Sequence, residues 1–144
     1  MPIFSKKISP RETEVLGRMA VGECIREISE HLGISKNTVL NCVMFASAKL
    51  GGGRTPGVVH AAYIHEQLPR PKSDERLNLH ARQVAIIECI SLGLSMKEMA
   101  NKLGYSSLSM RLNVNELFRR LDAKNASHAV TRAWELGILQ CERS

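Results

Sequence analysis

The stretch GISKNTVLNCV, residues 33 to 43, sets a glycine ahead of a hydroxyl, a cation, an amide and a second hydroxyl, after which apolar residues fall onto one stripe. Ser35 is a helix cap, and the free N–H groups and dipole of the helix start behind it favour a phosphate. Lys36, Asn37 and Thr38 add a charge, an amide and a hydroxyl to that start, Asn41 lies one turn further on, and Lys49 closes the helix. A similar stretch, GYSSLSMRLNV, begins at Gly104 and offers Ser107, Ser109, Arg111 and Asn115, followed by Arg119 and Arg120. Such donors suit phosphate oxygens and base edges. A helix fits the major groove and reaches base edges with its N-terminal residues. Double-stranded DNA is therefore the expected partner. Each helix also carries apolar groups off its core stripe: Leu40 and Met44 in the first, Leu108 and Leu112 in the second. Apolar groups read thymine methyls, and they equally well dock onto protein, so these four, with Trp134, are the protein-interface candidates.

The elements that would hold these helices occur twice. A shift of 71 positions, the separation of Gly22 and Gly93, aligns the chain with itself without a gap. Arg11 falls on Arg82, Glu27 on Glu98, Leu32 on Leu103, Gly33 on Gly104, Ser35 on Ser106, Leu50 on Leu121, Val59 on Val130 and Ala62 on Ala133. A period this long is a small domain duplicated rather than a solenoid unit. Each copy reads as four short helices. In the first, Ser9-Pro10-Arg11-Glu12 opens a helix with a capping box, and Val15, Leu16 and Met19 face inward. A second helix carries Ile25, Ile28 and Leu32 and stops at Gly33. The third has the stripe Val39, Val43, Ala46, Leu50, and Thr55-Pro56 opens the fourth, with Val58, Val59, Ala62 and Ile64. The second copy repeats the pattern, with Met110, Val114, Leu117 and Leu121 on its third helix, but His80 stands where Ser9 was and weakens the first cap. Residues 1–68 and 79–144 are the expected domains, joined by a linker over 69–78. The prolines and charges of QLPRPKSDERLN, residues 67 to 78, favour an extended path that sets spacing but not orientation.

Two short helices joined through a glycine turn, the second longer and hydroxyl-capped, form a helix-turn-helix. Residues Ser9, Arg11, Glu12, Glu14, Val15 and Leu16, then Ser35, Thr38 and Val39, then Lys49 and Leu50, resemble the LuxR/GerE-type helix-turn-helix pattern. The second copy is similar in a more drifted form, closest over RRLDAKNASHAVTRAWELGIL. The resemblance implies an all-α fold of two tandem four-helix helix-turn-helix domains, with third helices that enter the major groove and fourth helices that commonly pair two such domains, so that a homodimer through the fourth helix is expected. It implies phosphate contacts at Thr38 and Lys49, matched by Ser109 and Arg120. The groove-face position that is usually basic is Leu40 in the first copy and Arg111 in the second; the common histidine is Cys42 and Asn113. Family members usually carry one such domain behind a sensory or phosphoacceptor module; here there are two, and no sensor is visible.

Composition agrees with this and excludes other classes. The chain has 144 residues, 44% hydrophobic but only 4% aromatic, which suits a helical core of aliphatic side chains. The net charge of +6 divides evenly at Arg70, +3 on each side, a modest balance that suits a nucleic-acid partner. Cys24, Cys42, Cys89 and Cys141 form no CxxC pair and are expected as small apolar core residues in a reducing cytoplasm. No signal peptide and no membrane-spanning stretch is expected. The five histidines are scattered, Gly51-Gly52-Gly53 leads into no phosphate loop, and no nucleophile or paired-carboxylate frame is present, so neither enzyme activity nor a cofactor or metal is expected. The function expected is that of a sequence-specific transcription regulator of bacterial or phage type. An adaptor or anti-activator that binds another regulator through the same fold is the alternative from a different class.

Overall fold

In a computed structural model, which describes residues 7–140, the chain forms eight helices and no strand. They are α1 (Pro10–Ala20), α2 (Ile25–Leu32), α3 (Lys36–Leu50), α4 (Thr55–Ile64), α5 (Ala81–Ser91), α6 (Met96–Leu103), α7 (Ser107–Leu121) and α8 (Ala126–Glu135). Every helix of the second set begins 71 residues after its counterpart, and the lengths match: 11, 8, 15 and 10 residues in both.

Local chemistry sets the ends. The Ser9 hydroxyl accepts from the Glu12 N–H and Glu12 accepts from the Ser9 N–H, a capping box that fixes the start of α1. At α5 half of that box survives without the serine, because Gln83 Oε1 accepts from the His80 N–H at 3.0 Å. Gly33 and Gly104 take left-handed backbone angles and end α2 and α6. Each turn launches the next helix from a serine cap two residues later, Ser35 for α3 and Ser106 for α7.

The apolar stripes are buried with a few differences. On α7, Met110, Val114, Leu117 and Leu121 are buried as the spacing predicts. On α3, Cys42 rather than Val43 completes the buried row, because packing against α1 and α2 turns the helix slightly from its ideal stripe. Met96, the counterpart of Ile25 on the expected inner stripe of the second helix, is exposed at the start of α6, and Cys24, expected in the core, is exposed. Cys42 and Cys89 are buried, and Cys141 lies outside the described residues.

The halves are not strung apart. One hydrophobic cluster contains Leu16, Val58, Val59, Ala62 and Tyr63 from the first set of helices and Ile86, Met110, Leu117, Val130 and Trp134 from the second. A smaller cluster, Val15, Met19, Ile28, Val39 and Cys42, lies under α1–α3 alone. The contact between halves is α4 on α8, flanked by α1 on α8 and α4 on α5. The residues of 69–78 are correspondingly tied down, where an extended tether without fixed orientation was expected. Arg70 donates to the Tyr63 and Ile64 carbonyls, the Ser73 N–H donates to the Glu135 carbonyl, and Glu75 pairs with Arg132. Leu77 and Leu79 pack against the shared core. The apolar faces of α4 and α8 are buried against each other, and that burial fixes the orientation that the linker leaves open.

Candidate nucleic-acid interface

The α2–α3 pair meets at Gly33, where the backbone reverses at φ 66° and ψ 36°. The Ile34 N–H donates to the Ser29 carbonyl and the Ser29 hydroxyl returns a bond to the Ile34 carbonyl at 2.6 Å, which locks the turn. The Ser35 hydroxyl accepts from the Thr38 N–H at 3.1 Å, and the two hydroxyls lie 2.9 Å apart. Ser35 and Thr38 therefore form one hydroxyl pair at the head of α3, and part of the bonding capacity of Thr38 is already used within its own turn. Lys36, Asn37, Leu40, Asn41 and Met44 are all exposed along the leading face. That face is open to a partner rather than covered by the rest of the chain.

The α6–α7 pair is built in the same way around Gly104, with the Ser106 hydroxyl accepting from the Ser109 N–H. Ser107, Leu108, Arg111, Leu112 and Asn115 are exposed; Ser109 is half-buried. Asn113 turns back to donate to the Ser109 carbonyl of its own helix, so it does not face outward. Among the described residues neither Lys36 nor Arg111 has a carboxylate partner. Both charges are available.

The basic residues at the ends of the two helices differ. Lys49 Nζ lies 2.8 Å from Glu12 Oε1. Burial pushes the Glu12 carboxyl up, but the Lys49 ammonium and the Ser9 N–H outweigh that and hold it below its ordinary value. The matched pair in the second half is Arg120 on Gln83 Oε1 at 3.0 Å, a bond to a neutral amide. Lys49 is thus bonded to a buried carboxylate, whereas Arg120 is bonded to a neutral amide and has the exposed Glu116 carboxylate nearby. Arg119 is paired with exposed Glu116 on the same helix, a contact worth little in water.

Of the apolar candidates, Leu40, Met44, Leu108 and Leu112 are between 48% and 65% exposed. Phe45, which was not singled out from the sequence, joins Leu40 and Met44 at 52% exposure. Its position one residue past Met44 and off the Val39–Ala46 row was the available signal. Trp134 is different: it is 7% exposed and sits between α4 and α8. Its indole N–H donates to His60 Nδ1 at 3.0 Å, and its ring centroid is 5.5 Å from that of Tyr63. Tyr63 in turn shares a 2.9 Å hydroxyl contact with Thr131. The fourth-helix face expected to join two chains is therefore occupied within one chain. A homodimer through it would first have to pull this contact apart.

This geometry, a capped long helix presented beyond a short one and a glycine turn, defines a helix-turn-helix protein. Residues 6–61 match the GerE model, described as bacterial regulatory proteins of the luxR family. The transcriptional activator protein CarR of Pectobacterium carotovorum subsp. carotovorum is 31% identical over 81 residues, covering 55% of this chain and 33% of that protein. The chain thus spans about a third of the length of that relative. No solved structure matches it significantly. Among the described residues no helix is long and apolar enough to cross a membrane.

Proposed function

We propose that the chain is a sequence-specific DNA-binding transcription regulator. In this reading residues 1–68 and 79–144 are both helix-turn-helix domains of the luxR kind, joined over 69–78 and held together as an intrachain pair. One observation carries it: the segment matching the luxR family contains α3, whose hydroxyl- and amide-led start is exposed, and the same start recurs 71 residues later at α7. Ser35, Thr38 and Ser109 supply hydroxyls to phosphates, with Lys49, Arg119 and Arg120 behind them. Lys36, Asn37 and Asn41 from α3, and Ser107, Arg111 and Asn115 from α7, reach base edges. The α4–α8 contact takes the place of a subunit interface, so the second helix meets DNA without a separate association step.

The test is binding to duplex DNA across a range of salt. The folded chain is expected to bind with an affinity that falls as salt rises, by roughly 0.9 in log–log slope for each phosphate neutralised. Lys36→Ala and Arg111→Ala are expected to weaken it. Failure of the folded chain to bind any duplex at low salt overturns the reading.

A second reading has its own observation, the exposed apolar residues Leu40, Met44, Phe45, Leu108 and Leu112. An adaptor would dock another regulator on them. Leu112→Asp would then abolish a co-purifying protein complex while the fold persists; a complex that survives the substitution removes this reading.

A further inference from the structure

The two halves exchange contacts as the subunits of a two-fold dimer do. Tyr63 meets Thr131, and Trp134 meets His60; a shift of 71 residues turns one pair into the other. Asn125 Nδ2 donates to the Gly22 carbonyl, and Lys124 and His128 close on Gly22; the counterparts of Asn125 and His128, Arg54 and Gly57, close on Gly93, the counterpart of Gly22. Such an exchange defines an isologous interface, here within one chain. A two-fold rotation preserves the component of any direction along its axis and reverses the component across it. Where the exposed starts of α3 and α7 both meet one duplex, that rotation sets them on it in inverted orientation.

The symmetry stops at the reading faces. Asn37, Leu40 and Asn41 on α3 are matched by Leu108, Arg111 and Leu112 on α7, and all six are exposed. An asparagine amide pairs with adenine, an arginine guanidinium with guanine, and an aliphatic group with the thymine methyl. A dimer of identical units must read a palindrome, whereas here the units have diverged within one chain.

We infer, resting on the DNA-binding reading above, that the target is a duplex carrying two unlike half-sites in inverted orientation at one spacing. The α3 half-site contains adenine read by Asn37 and Asn41; the α7 half-site contains guanine read by Arg111.

The experiment is selection from a random duplex pool with the full chain at low salt, followed by sequencing and measurement of the mass of the selected complex. The expected product is a non-palindromic site with two different inverted elements at one spacing, bound by one chain. Arg111→Ala should flatten the guanine preference in one element only, a loss of roughly 5- to 150-fold in discrimination. Leu40→Arg should add a guanine preference to the other element and make the selected site more palindromic. Both positions are exposed, and circular dichroism checks that the variants fold. A palindrome of like elements, a lone element, direct repeats, two chains per site, or Arg111→Ala altering both elements would overturn the inference. So would duplex binding with no sequence enriched, which also removes the sequence specificity of the DNA-binding reading; in the other outcomes that reading stands. A folded chain that retains no duplex removes that reading, and this inference with it.

Discussion

At the scale of single residues, the informative pair is Lys49 with Glu12 against Arg120 with Gln83. The same geometry is kept in both halves, but a carboxylate in one is an amide in the other. Glu12 is held below its ordinary 4.5 despite its burial, so its contribution to stability is present above that pH and is lost as the pH falls through its lowered folded value. Glu12→Gln would retain the acceptor for the Ser9 N–H, as Gln83 does for His80, while removing the charge. The variant should be about 1 kcal/mol less stable at neutral pH, with the difference vanishing in acid. Urea midpoints measured across pH check this, and equal losses at pH 7 and pH 3 would contradict it. The freed Lys49 should also steepen the salt dependence of duplex binding by about one phosphate contact. The exposed residues of the leading faces were legible in the sequence because helical spacing alone separates them from the stripe. The partner of Lys49 was not, because an ion pair across 37 residues depends on how α1 crosses α3.

At the scale of elements, helix bounds were readable from Ser9, Ser35, Ser106 and the glycines, since caps and left-handed turns act locally. The placement of α4 against α5 was not, since its cause is steric and distant. Gly52, Gly57 and Gly93 bring three stretches of backbone together so closely that a Cβ on Gly57 or Gly93 would overlap the Gly52 carbonyl oxygen. Gly33 shares the positive φ of Gly93 but has nothing within 4 Å of a Cβ. Gly33→Ala should therefore cost about 1 kcal/mol, the left-handed backbone penalty alone. Gly93→Ala should cost roughly 3 kcal/mol or more, because rigid backbone must also move. Chemical denaturation of the two variants decides; similar losses would mean that α4 and α5 are less closely held than the contact implies.

At the scale of the whole molecule, the contact between halves has a pH dependence and a cooperativity. Burial lowers the His60 ring below its ordinary 6.5, and burial with the nearby Lys124 and Arg132 does the same for His128. Both therefore leave stability complete above about pH 6.5 and remove it as pH falls below, where the unfolded chain takes up protons that the folded chain does not. A protonated His60 also loses the acceptor that holds the Trp134 indole. His60→Gln keeps an acceptor without titrating, so its stability should fall less than that of the parent between pH 6.5 and 5, and parallel curves would rule out this role for His60. Trp134 is the only tryptophan, so its fluorescence reports this contact directly. Cooperativity follows from the same place. Val59 and Val130 are matched positions, both fully buried, and both belong to the cluster that spans the halves. Two tethered, independent domains would unfold separately, and Val59→Ala would leave the Trp134 transition unmoved. With a shared core, each valine supports both halves. Val59→Ala and Val130→Ala should each cost about 2 kcal/mol and shift fluorescence and helicity together as one transition. If Val59→Ala splits those two signals, the halves fold apart, and the fixed orientation of α3 and α7 loses its basis.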